Sequence, residues 1–151
     1  MAALGRKMQE ALNEQVNAEL YSAYLYLSMA AYFSSVGREG MAQWMKVQFR
    51  EEQMHAMKLF DHVNERGGRV TLKAIQAPPV EWRSPLAAFQ AAYEHEQMVT
   101  GLINGLVNLA RQERDTTAED FLQWFVKEQE EEEESADGVV QKLKKAQDAP
   151  E

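Results

Sequence analysis

The residues able to hold metal ions recur in this chain at helical spacing. Glu52 and His55 are three apart, as are Gln129 and Glu132. In a helix each pair shares a face. Glu19 falls on the stripe of Met8, Leu12, Tyr26, Ala30 and Phe33, and Glu96 lies between Tyr93 and Ile103 on another stripe. Glu52 follows Glu19 at the same interval by which Gln129 follows Glu96, so that His55 corresponds to Glu132. The chain reads as two copies of one helical hairpin, each offering Glu, a polar side chain at that fixed interval, and another three later. Buried carboxylates without counter-charge must protonate or be solvated. No Lys or Arg stands at these central positions. A pair of divalent cations is the simplest compensation. Oxygen ligands with one imidazole suit iron or manganese and also admit zinc. The complete form of the design takes a lone Glu from two helices and Glu-x-x-His from the other two. Here the first half is complete and the second is reduced to Gln-x-x-Glu. Glu19 alone, or Glu52-x-x-His55 alone, would read as an ordinary surface feature. The repeated spacing carries the metal reading.

Four long segments must position these residues. They are rich in Ala, Leu, Met, Glu, Gln and Lys, all good helix formers, and the expected helices cover about 5–35, 39–66, 85–114 and 117–146 of one domain, 1–151. Gly37 is the expected left-handed cap of the first and Gly67-Gly68 ends the second. Ser84-Pro85 opens the third as N-cap and first helical residue. Thr116-x-x-Glu119 reads as a capping box for the fourth. Short first and third connections make antiparallel hairpins. The connection from Gly67 to Ser84 is far longer. Fully extended, its roughly 18 residues reach about 60 Å, whereas a helix of about 28 residues is about 42 Å long. The fold class is therefore all-α, a four-helix bundle whose long crossover leaves helices 2 and 3 parallel.

Composition removes rival chemistries. The 151 residues carry 16 Lys and Arg against 24 Asp and Glu, a formal charge of −8. That sign argues against nucleic acid as partner and suits cations. No cysteine is present, which excludes thiolate metal sites, iron–sulfur ligation and Cys nucleophiles, and fits a cytoplasmic protein. The longest apolar stretch, Ala23 to Phe33, is far short of the roughly 20 residues of a membrane helix. No secretion leader is visible before the first helix.

The sequence resembles the prokaryotic non-haem ferritins over nearly its whole length. The resemblance rests on Leu12-Asn13-Glu14-Gln15 through Glu19-Leu20-Tyr21-Ser22, Glu51-Glu52-x-x-His55, His95-Glu96, Phe121-Leu122-Gln123-Trp124, Glu128-Gln129 and Glu131-Glu132. It implies a ferroxidase centre in which Glu19, Glu52 and His55 hold a first iron, with Glu52 bridging. Glu96 and Glu132 hold a second, and Gln129 lies beside it. A third, weaker iron site would use Glu51, Glu128, Glu131 and Glu132, and Tyr26 matches the family's site-adjacent tyrosine, an electron donor. The partners implied are Fe(II), dioxygen or peroxide, and further copies of the chain in a 24-subunit cage or a smaller assembly. Haem-bearing relatives place Met after the bridging Glu and keep a second Glu-x-x-His; Gln53 and Gln129-x-x-Glu132 here imply no haem. Ferritins usually carry a short fifth helix. The chain stops at Asp148-Ala149-Pro150-Glu151, where it would begin, so its absence is expected.

Other features have plainer readings. Glu130, Glu133 and Glu134 are expected on a solvated face, and His62 as an ordinary packed or surface residue. His95 points about 100° away from Glu96 and should lie outside the site. Gly101 and Gly105 suggest a close helix approach. The alternatives in function are a di-metal oxidase of an organic substrate and a non-catalytic helical assembly module.

Overall fold

The computed structural model describes residues 3–148. Four helices follow in order: α1 (Arg6–Ser35), α2 (Glu39–Glu65), α3 (Pro85–Gln112) and α4 (Thr116–Asp148). Residues 149–151, where a fifth helix would begin, lie outside the described residues. No described helix is long and apolar enough to cross a membrane.

Helices α1, α2 and α3 end with the same device. Gly37 and Gly67 take positive φ, 76° and 75°, which glycine adopts without a Cβ penalty. The next amides then fold back, Arg38 N–H to Phe33 O at 2.8 Å and Gly68 N–H to Val63 O at 2.9 Å. Arg114 does the same after α3 at φ 53°, with Asp115 N–H on Ala110 O at 2.8 Å. Ser84 caps α3 as expected, accepting from Ala87 N–H at 3.1 Å. The α4 cap is a correction. Asp115, not Thr116, stands at the N-cap, and its carboxylate accepts from Ala118 N–H at 2.9 Å. Glu119 closes no capping box; it accepts from Arg111 at 2.7 Å. Asp115 wins because a carboxylate is the better partner both for the helix N-terminus and for Arg66, whose guanidinium grips it at 3.1 Å through both nitrogens.

Segment 67–84 is the crossover. Its start lies against the beginning of α1, where Asn13 donates to Arg69 O at 2.9 Å and Lys73 pairs with Glu14. Further along, Ser28 donates to Pro79 O at 2.6 Å, and Trp82 meets Tyr32 edge-on, centroids 5.5 Å apart. The loop thus climbs α1 from end to end. Phe33 packs on Phe89, while Tyr26 bonds Glu96; α1 and α3 therefore run antiparallel, and α2 and α3 parallel. Two apolar clusters fill the interior. One gathers Met8, Leu12, Leu59, Ile103, Leu122 and Phe125. The other gathers Met29, Phe33, Met45, Phe89 and Val140. A polar layer separates them.

Gly101 and Gly105 do not serve a close approach: no side chain or neighbouring backbone comes within 4 Å of where their Cβ atoms would stand.

Candidate metal centre

The polar layer is built from the middle of every helix. Glu19, Glu52, His55, Glu96, Gln129 and Glu132 are each at most 5% exposed. The helical periods that bury Leu12 and Val16, Leu59, Val99 and Ile103, and Phe125 and Ala136 carry these residues inward with them. Glu19, Glu52 and His55 offer ligand atoms within 4.8 Å of one another, and so do Glu52, Glu96 and Glu132. Glu52 belongs to both groups. A third group joins His55, Glu128 and Glu132.

Within this layer acceptors outnumber donors. His55 Nδ1 lies 3.2 Å from Glu52 Oε2 and 3.9 Å from Glu19 Oε2, and its Nε2 lies 3.7 Å from Glu128 Oε1. Glu19 Oε2, Glu52 Oε1 and His55 Nε2 are buried with no hydrogen-bond partner. Such atoms are costly to bury, and a cation held between Glu19 and Glu52 would satisfy the two carboxylate oxygens. The protons respond to the same crowding. Burial first, then Glu19, push Glu52 well above the usual carboxylate range. Glu96 is raised chiefly by burial, against the bonds it accepts from Tyr26 and Gln129. Glu132 is pushed up to about 10, by burial and then by Glu96, Glu51 and Glu128. A metal ion entering among these carboxyls would have to displace the protons that their raised pKa values favour.

The remaining candidates are placed as follows. Tyr26 donates its hydroxyl to Glu96 Oε1 at 2.6 Å, and burial holds the phenol well above its ordinary pKa. Glu51 is half-buried, and its carboxyl is among the groups that raise Glu132. Glu131 is exposed and belongs to none of the three groups. His95 lies outside the layer, its Nε2 2.7 Å from Ser22 Oγ, and burial lowers its pKa to about 4. His62 is packed, stacked on Phe121 with centroids 4.0 Å apart. Glu133 is a correction: it is half-buried and accepts from Thr100 Oγ1 at 2.6 Å, because the hydroxyl stands where α3 faces α4.

A family model described as the ferritin-like domain matches residues 9–146. The chain belongs to the ferritin family. A bacterial non-heme ferritin of Bacteroides fragilis is 44% identical over 146 residues, 97% of this chain and 92% of that protein. A probable bacterial non-heme ferritin-like protein of Haemophilus influenzae is 41% identical over 93% of this chain and 85% of that protein. Among solved structures, an open pore ferritin of the archaeon Archaeoglobus fulgidus superposes with TM-score 0.94 at 60% identity, covering 95% of this chain and 88% of that one. The chain is thus a prokaryotic non-haem ferritin, and iron storage is its function.

Three residues of this ferritin's centre escaped the sequence reading. Gln15 is buried and donates to Glu19 Oε1 at 3.2 Å. Its signal was available, since it stands one helical turn before Glu19 on the same face. Trp124 sets its indole edge-on to His55, centroids 5.3 Å apart, and Lys58 Nζ lies 4.2 Å from the ring centroid. Thr100 joins α3 to Glu133, and no spacing marks a hydroxyl for that task.

Proposed function

We propose that this ferritin oxidises Fe(II) at a paired centre inside each subunit and stores the ferric product in a hollow homo-oligomeric shell in the cytoplasm. Iron is here the substrate and the cargo. Glu19, Glu52 and His55 would hold the first iron and Glu52, Glu96 and Glu132 the second, with Gln129 beside it. The observation that carries this is the pair of buried triads sharing Glu52. Two Fe(II) side by side can supply two electrons to dioxygen or peroxide. Tyr26, bonded to Glu96, stands close enough to be a further electron donor. The second position has no imidazole, so iron is held less firmly there and can leave after oxidation. A third, weaker position would draw on Glu51, Glu128 and Glu132; Glu131 joins it only by turning inward over the surface of α4. Fe(III) is insoluble near neutral pH, so the product needs an enclosure. A 24-subunit shell, or a smaller one, would provide it.

The test is to add Fe(II) in air to the purified protein. Fe(III) should form faster than in buffer, and Glu52→Ala should remove the acceleration. A rate equal to buffer, or an undiminished rate in Glu52→Ala, would falsify the oxidation step. Size-exclusion chromatography with light scattering tests the shell, and a stable monomer or lone dimer would refute it.

A further inference from the structure

The two halves of the chain differ in more than the lost imidazole. Laying the second half on the first maps Glu19 on Glu96, Glu52 on Gln129 and His55 on Glu132. The same register maps Ala23 on Thr100 and Ala56 on Glu133. Ala23 and Ala56 are buried core residues, 3% and 1% exposed. In the half without imidazole, a hydroxyl and a carboxylate take their places.

Those two side chains form a directed chain of hydrogen bonds ending on a metal-site carboxylate. Glu133 Oε2 lies 2.6 Å from Thr100 Oγ1. A carboxylate only accepts, so the hydroxyl must give it its one proton. Thr100 Oγ1 also lies 3.0 Å from Glu96 O, but one proton serves one partner, and the shorter, charge-assisted bond takes it. The hydroxyl is then left as an acceptor. Gln129 Nε2, 3.2 Å away, must therefore be its donor. That fixes which end of the Gln129 amide faces α3. Gln129 brings two N–H bonds to three acceptors: one serves Thr100, and the other is shared by Glu96 Oε2 at 3.1 Å and Glu96 O at 3.2 Å. Tyr26 holds the other carboxylate oxygen at 2.6 Å. Glu96 is thus gripped at both oxygens, with a ligand atom within 4.8 Å of those of Glu52 and Glu132.

We infer that Thr100 and Glu133 are positioning residues for the second metal position, acting through the orientation of the Gln129 amide on Glu96. This rests on the reading of Glu96 as a ligand of that position. Neither residue belongs to any of the three ligand groups. Their work is to hold a ligand that no neighbouring imidazole helps to organise. In the first half Gln15 holds the corresponding Glu19, donating to its Oε1 at 3.2 Å, and alanines suffice at the other two places. Orienting partners of this kind change metal affinity by roughly 10- to 100-fold when removed.

Co(II) titration of the full chain in its assembled state, followed by the visible bands of the ion, reads both positions without turnover. Wild type should take up one tightly bound ion per subunit and then a second, less firmly held one in a distinguishable later step. Thr100→Val, nearly isosteric, and Glu133→Leu should each weaken the later step by about 10-fold and leave the earlier one unchanged. Thr100→Ser, which keeps the hydroxyl, should restore it. Glu134→Gln removes one charge from the exposed neighbour and should follow wild type. Unaltered steps in Thr100→Val and Glu133→Leu overturn the inference. So does an equal weakening of both steps, which is the mark of a merely structural role. Should wild type itself bind fewer than two ions, the paired-centre reading fails, and this inference with it.

Discussion

Glu132 shows how the centre couples protons to stability. Its carboxyl is raised to about 10, and Glu52 and Glu96 move in the same direction. Between the ordinary carboxylate range and that value, the folded metal-free protein keeps protons that the unfolded chain has released. Stability supplied by these groups is full below the unfolded pKa and is lost as pH rises through the folded one. Urea midpoints of metal-free protein should therefore fall from about pH 5 to pH 8, with a slope on the order of 1 kcal/mol per pH unit for each proton held. Glu132→Gln, which cannot ionise, should flatten that slope. A profile of equal steepness in the variant would mean that Glu132 is not protonated in the folded state. The same protons must leave when metal binds. Calorimetric titration with Zn(II) in buffers of different ionisation enthalpy should register proton release, and less of it in Glu132→Gln.

Helix ends carry more weight here than their size suggests. Asp115 caps α4 and at the same time takes the fork of Arg66, whose side chain is 2% exposed. Asp115→Ala should lose the cap, about 1 kcal/mol, and also remove the carboxylate that neutralises a buried guanidinium, a loss of about 3 kcal/mol or more. Asp115→Asn keeps a capping oxygen and should recover only the smaller part. Urea denaturation of the three proteins separates the two contributions; equal midpoints for wild type and Asn would show that the ion pair adds nothing. The middle of the bundle obeys a different rule. Phe125 is buried in the apolar cluster below the centre and lies edge-on to both His55 and Trp124. Phe125→Ala should cost about 3–5 kcal/mol and quench or shift Trp124 emission, since the indole loses its wall.

Across the molecule, the metal layer is a weak plane between two well-packed clusters. Metal-free protein carries unpartnered buried atoms there, and bound ions should tie four helices together at once. Zn(II) at about 100 times its dissociation constant should stabilise the fold by about 2.7 kcal/mol per site, seen as a higher melting temperature. Glu52→Ala, which removes the ligand common to both triads, should abolish most of that gain. A melting temperature indifferent to Zn(II) would mean that the layer closes without ions.

The amino-acid order determined the helices, the crossover and most of the centre, because each is a matter of spacing. A helical period decides which residues face inward, and one repeated interval puts Glu19, Glu52, Glu96 and Gln129 at one depth. Loop length against helix length made the crossover legible before any coordinates. What the tertiary structure alone decided depends on reach between helices. Asp115 displaced Thr116 as the cap because Arg66 arrives from the end of α2. Glu133 left the solvated face because Thr100 meets it from α3. Glu131, by spacing as good a ligand as Glu128, stayed exposed. Periodicity gives the side of a helix on which a residue stands; it does not say which hydroxyl, guanidinium or ring the neighbouring helix brings to meet it.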